Sequence, residues 1–169
     1  VKAEDAPWLT LEPVDIASRN NVFTTYVWQL DQLSITLADG TKADFSITEK
    51  NSAVDRTSAS STDFDTTLNG VQFDTERYRT FYSFLVNNIS AEDISSGDEI
   101  SGTPLATIEM NDAYTNTHTK IDFYERSLMS VLIVIDGEAR FTGNRAVLDT
   151  LADNIALLNT DEEFINTVK

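Results

Sequence analysis

Apolar and polar residues alternate in the stretch LSITLADGTKADFSITEK, where Leu33, Ile35 and Leu37 fall at every second position. A turn stands at Asp39-Gly40, and Ala43, Phe45 and Ile47 resume the alternation. Period two is the spacing of side chains on one face of a strand, so the stretch predicts a hairpin with one apolar face. FDTTLNGVQF predicts a second hairpin, because Asn69-Gly70 suits the two positive φ angles of a type I′ turn. The period then changes to that of a helix. Tyr78, Phe81, Tyr82, Leu85 and Ile89 form one apolar stripe, with Arg77, Thr80, Ser83 and Asn87 on the wetter side. Asp74 stands where a carboxylate can accept from the free amides of the first helical turn.

The same order returns in the second half as LATIEM, TKIDFYER and SVLIVIDGEARF, followed by a predicted helix over 145–158 with Asn144 as its cap. Leu148, Leu151, Ala152 and Ile155 make its stripe. TKADF and TKIDF agree at four of five positions, and Asp136-Gly137 is the counterpart of Asn69-Gly70. SVLIVI is apolar on both sides and should lie inside the sheet.

The expected fold is therefore α+β, with antiparallel hairpins and meanders and helices packed on one face. Residues 1–169 read as one domain: a lead-in over 1–32, a hairpin-hairpin-helix module over 33–99 and a second over 100–169. Two readings of that likeness stay open, a true duplication and the turn and cap residues that any hairpin followed by a helix requires. Within the lead-in, 14–19 suggests a short helix and 22–30 an extended aromatic segment. NSAVDRTSASSTD, residues 51–63, offers little to bury and should form an exposed, mobile loop, and AEDISSGDEISGTP should be an acidic linker.

Charge narrows the partners. Asp and Glu outnumber Lys and Arg by 28 to 12, for a formal net charge of -16, which repels phosphate backbones and anionic headgroups. Nucleic acid and direct membrane-surface binding become poor expectations, and the charge should favour a monomer. There is no cysteine, hence no disulfide, thiolate nucleophile or zinc-thiolate site. No apolar run approaches the roughly 18 residues of a membrane span, and VKAEDAPW lacks the blocks of a signal peptide. An exported protein with this start would have had its targeting segment removed or left out.

Candidate chemistry is sparse. His118, the single histidine, lies in the polar stretch TNTHTK and reads as an exposed loop or edge residue. The closest carboxylate pairs are Asp63 with Asp65 and Asp74 with Glu76. Asp63 and Asp65 fit the outer face of a strand, and Asp74 and Glu76 fit a helix N-terminus, which favours negative charge. A calcium site is the alternative for such carboxylates, although the EF-hand spacing is missing. Of the aromatics outside the helix stripes, Trp28 reads as core, while Trp8 and Tyr114 fit either a core or an exposed cluster with Tyr26. Arg79, beside the first stripe, reads as a structural staple that stacks on a ring or pairs with an acidic neighbour. No catalytic, cofactor-binding or metal-binding residue is assigned.

The succession NGVQFDTERYRTFYSFLV, PLATIEM, TKIDFYER and VLIVIDGEARFTGNRAVLDTLADNI resembles the C-terminal part of bacterial proteins in the family called domain of unknown function 4340. The likeness covers roughly residues 33–158. Tyr78, Arg79, Phe81 and Tyr82 in the first helix and Phe123 and Tyr124 in a strand carry it, with the N-G and D-G turns. The resemblance implies an extracytoplasmic protein of the cell envelope, membrane-anchored or a lipoprotein at full length and in places accessory to a transport system. It carries no catalytic residue. The expected function is a non-catalytic interaction or scaffold domain whose partner is an envelope protein or another domain of the same protein. A ligand- or glycan-binding module is the alternative, and a carboxylate-dependent hydrolase the remote one.

Overall fold

The computed structural model describes residues 22–52, 54–95 and 97–168. Among them run nine strands, β1 (Leu30–Leu37), β2 (Lys42–Glu49), β3 (Phe64–Leu68), β4 (Val71–Phe73), β5 (Asp93–Ile94), β6 (Ala106–Asp112), β7 (Thr117–Glu125), β8 (Ser130–Ile135) and β9 (Glu138–Asn144). Two helices, α1 (Thr75–Asn88) and α2 (Ala146–Leu157), follow β4 and β9. The strands form one sheet in the order β4-β3-β2-β1-β6-β7-β8-β9-β5, and every neighbouring pair is antiparallel. Each half of the chain is a meander, and the two meanders meet at the β1–β6 pair.

The alternation decides which face is buried. Leu33, Ile35, Ala43, Phe45, Ile47, Phe64, Leu68, Ile108, Ile121, Phe123 and Ile133 join one cluster with the stripes of both helices. Tyr78, Phe81 and Leu85 are fully buried in it, and Leu148, Leu151 and Ile155 nearly so. Phe45 touches the rings of Tyr78 and Phe81 at 5.2 and 5.6 Å between centroids, so strand and helix are joined by aromatic edges rather than by aliphatic filling alone. Trp28 is buried as expected and stacks on Phe64 at 5.1 Å. SVLIVI becomes β8, between β7 and β9, with Val131, Leu132, Ile133 and Val134 all buried.

The two helix-entry turns are built alike. Asn69 and Asp136 both have φ of 51°, followed by Gly70 at 79° and Gly137 at 84°, the backbone a type I′ turn requires. The Asn69 side chain accepts from the Asp44 amide at 3.0 Å and its own amide donates to Asp44 at 2.7 Å. Asp136 does the same with Lys120, both at 2.8 Å. Asp44 and Lys120 are therefore the positions that correspond in space, whereas the TKADF and TKIDF match pairs Asp44 with Asp122. That match is two residues out of step, a shift that a period-two strand tolerates because it keeps each side chain on its face.

Four expectations are corrected. The segment expected to be extended over 22–30 contains a 3-10 turn, Val27–Gln29, before β1 begins. The acidic linker contributes β5, which pairs Asp93 with Thr142 and Ile94 with Phe141. Asp63 is not on a strand but ends a 3-10 turn, Ser61–Asp63. The loop over 51–63 is mostly exposed yet firmly fastened. Arg56 donates to Glu49 at 2.5 Å, to the Trp28 and Leu30 carbonyls at 2.9 and 3.0 Å, and lies 5.2 Å over the Phe64 ring. The suggested helix over 14–19 and Trp8 lie outside the described residues.

Candidate functional site

The sheet face opposite the helices carries a connected polar array built by register. β1, β6 and β7 set Gln32 beside Asn111, Asn111 beside His118, Glu109 beside Lys120 and Thr107 beside Asp122. Asn111 donates to Gln32 at 2.6 Å and accepts from His118 Nδ1 at 2.7 Å, leaving Nε2 facing Glu109 at 3.8 Å. Lys120 pairs with Asp122 at 2.9 Å, and Asp122 also accepts from Thr107 at 2.6 Å. The hydrogen bond to Asp122 raises the Lys120 pKa above its ordinary value and keeps the ammonium charged. His118 is exposed, as its sequence context suggests, and sits on β7 as one rung of a cross-strand ladder.

Three of the four carboxylates, Asp65, Asp74 and Glu76, line an open hollow of about 480 Å³ at the start of α1, together with Lys50 and Ser61. Each carboxylate there has a structural partner. Asp74 caps α1 by accepting from the Arg77 amide at 2.7 Å, as predicted. Glu76 accepts from the Ser61 hydroxyl and from Arg79 at 2.7 Å, and Asp65 lies 3.8 Å from Lys50. Asp63, just outside the hollow, accepts from the Ser60 amide at 2.8 Å. Donation from Ser61, then Arg79, lowers the Glu76 pKa, and donation from Ser60 lowers that of Asp63. A carboxyl that is to deliver a proton near neutral pH needs the opposite shift. Among the described residues no group of His and carboxylate side chains is arranged to hold a metal ion.

Arg79 pairs with an acidic neighbour, Glu76, but both side chains are half-exposed and the pair fastens little. The stapling arginines are Arg56 and Arg77. Arg77, expected on the wetter side, donates to the carbonyls of Leu157, Leu158 and Glu162 at 2.7 to 3.1 Å. The cap position of α2 is Arg145, not the expected Asn144, and its side chain makes no capping bond; Asn144, the last residue of β9, accepts from the Ala146 amide at 2.9 Å.

One apolar surface feature lies outside the expectations from sequence. Between β7 and β8, Leu128 and Met129 are 85% and 76% exposed, the most exposed large apolar side chains among the described residues. Their turn is tightly made: the Ser127 amide donates to the Ser130 carbonyl at 3.0 Å, and Ser127 Oγ accepts from the Met129 and Ser130 amides at 3.3 and 3.1 Å. The signal was present as two large apolar residues inside the turn sequence RSLMS. No family model, curated protein or solved structure matches the chain.

Proposed function

We propose that this chain is a non-catalytic interaction module that presents the β7–β8 turn to a protein partner. The Leu128–Met129 pair carries the reading. Because the turn that holds these two side chains in water is already hydrogen-bonded, its backbone loses little conformational entropy on docking, and the side chains gain the transfer of their apolar surface. A buried contact of this kind, rimmed by polar residues, is the usual composition of an interface centre. The envelope setting, the membrane anchor and a role beside a transport system belong to the proposal through the resemblance to the domain of unknown function 4340 family. That resemblance rests on the order of elements together with the Tyr78, Arg79, Phe81, Tyr82, Phe123 and Tyr124 positions and the two turns.

The two-module reading is also part of the proposal. The repeated strand-strand-strand-strand-helix order and the shared turn device at Asn69-Gly70 and Asp136-Gly137 support it. On this reading both halves are frame, and the functional surface is what one half displays.

The test places a photo-crosslinking amino acid at position 128 and, as a control, at Ser46 on β2. One discrete adduct at 128, abolished by Met129→Asp and absent at 46, supports the reading. No adduct at 128 in the protein's own host, or equal adducts at both sites, sinks it. A glycan-binding alternative is favoured by Tyr26 and Tyr114, 49% and 61% exposed on turns joined by the Ala113 amide and the Gln29 carbonyl at 2.8 Å. Tyr114→Ala that abolished retention on an envelope-glycan column would move the site there.

A further inference from the structure

Beyond α2 the chain turns back, and residues 162–165 pack against both helices. Phe164 is buried, its ring 5.5 Å from that of Phe81 and under the Arg77 guanidinium at 4.4 Å. Asn154, fully buried on α2, grips the next residue by its backbone: Nδ2 donates to the Ile165 carbonyl at 3.0 Å and Oδ1 accepts from the Ile165 amide at 2.7 Å. Arg77 reaches the Glu162 carbonyl at 2.8 Å. Three backbone groups and one ring are read, while Asp161, Glu162, Glu163 and Ile165 leave their side chains exposed.

We propose that this surface of α1 and α2 is a recognition groove for an extended peptide segment containing phenylalanine, with residues 161–165 as its resident occupant. A buried amide that pairs with both main-chain polar groups of one residue specifies an extended main chain and leaves the side chains of that chain free to vary. Phe164 supplies the anchor, since a ring between an aromatic neighbour and a guanidinium gains both apolar burial and cation–π attraction. The groove therefore accepts the same geometry from a partner. The occupant that fits best has basic residues where this chain has Asp161, Glu162 and Glu163. Those positions face solvent, and the protein carries a net charge of -16 that repels its own acidic tail and attracts a cationic one. The inference uses residues separate from the β7–β8 turn, and it stands or falls independently of it.

The experiment uses the full chain carrying Phe164→Ala, which empties the ring site while leaving the backbone continuous, and a second chain ending at Leu158. Two fluorescent peptides are titrated by polarisation: residues 159–169 as they stand, and the same with Lys at 161, 162 and 163. Binding by either opened chain, at least tenfold stronger than by the native protein and lost with Phe164→Ala in the peptide, is expected. The Lys peptide should bind several-fold more tightly than the acidic one at low salt, with the gap closing as salt rises. Asn154→Leu should abolish both. If neither opened chain binds either peptide, the groove is ordinary tail packing and the proposal is overturned. A dimer in the opened chains with no peptide binding overturns it too, by making a second copy the occupant. Equal binding of the two peptides at low salt refutes the basic partner.

Discussion

Arg56→Ala tests whether the loop over 51–63 is held by a single side chain. The Arg56 side chain is only 11% exposed, and its guanidinium replaces water for two backbone carbonyls, those of Trp28 and Leu30, and for the Glu49 carboxylate. A hydrogen bond from a charged donor contributes about 1.5 to 3 kcal/mol net, and the contact over Phe64 adds about 0.5 to 1. Glu49 keeps 27% of its side-chain surface and can recover some hydration, so part of the sum returns when Arg56 is removed. The expected loss is about 2 to 4 kcal/mol, a fall of about 1 to 2 M in the urea midpoint for a typical slope. Arg56→Lys should recover less than half, because an ammonium lacks the planar fork that meets three acceptors at once. Limited proteolysis should leave the native loop intact and cut it in the Ala variant. A loss below about 0.5 kcal/mol, with the loop cut equally in both proteins, would refute the claim that Arg56 anchors it.

Three further outcomes are expected. Phe81→Ala removes a fully buried ring in contact with Phe45, Phe84 and Phe164 and should cost about 3 to 5 kcal/mol in urea melts, whereas a near-neutral result would mean the α1 stripe is not core. A Cβ added at Gly70 or Gly137 meets no atom within 4 Å, so the cost of Gly70→Val and Gly137→Val is chiefly backbone strain at positive φ, and the two melting temperatures should fall by similar amounts. Hydrogen bonds hold the pKa values of Asp39, Asp55, Asp63, Glu76 and Asp98 below their ordinary values. Their stabilisation is present above an unfolded pKa of about 4 and is lost as pH falls through the lower folded values, so the urea midpoint should drop below about pH 4 and Glu76→Gln should flatten that drop.

What the sequence revealed follows from the range of the interactions involved. The helix stripe from Tyr78 to Ile89, the Asp74 cap and the Asn69-Gly70 turn depend on neighbours within a few positions, and periodicity displays them directly. Arg56 reaches a partner 26 positions away and Arg77 partners 80 to 85 positions away, and nothing local marks either as a staple. Asn154 could have been found, since it stands three residues after Leu151 on an otherwise apolar stripe and therefore needed a partner inside. β5 was hidden because two residues with acidic neighbours carry no alternation, and they pair only because β9 offers them a ladder. The TKADF and TKIDF likeness misled for the opposite reason, being a local match that strand register does not respect.

The sheet ends on one side with the three residues of β4 and on the other with the two of β5. Exposed strand edges are templates on which a second chain can continue the hydrogen-bond ladder, and long flat ones lead to fibres. Here an intruding strand would find two or three rungs on β4 or β5, with Val71 and Ile94 as the apolar incentive and a net charge of -16 on each molecule opposing the approach. Among the described residues, nine strands of antiparallel pairing thus end in short outer strands without being closed into a barrel, which leaves a second chain little ladder to extend.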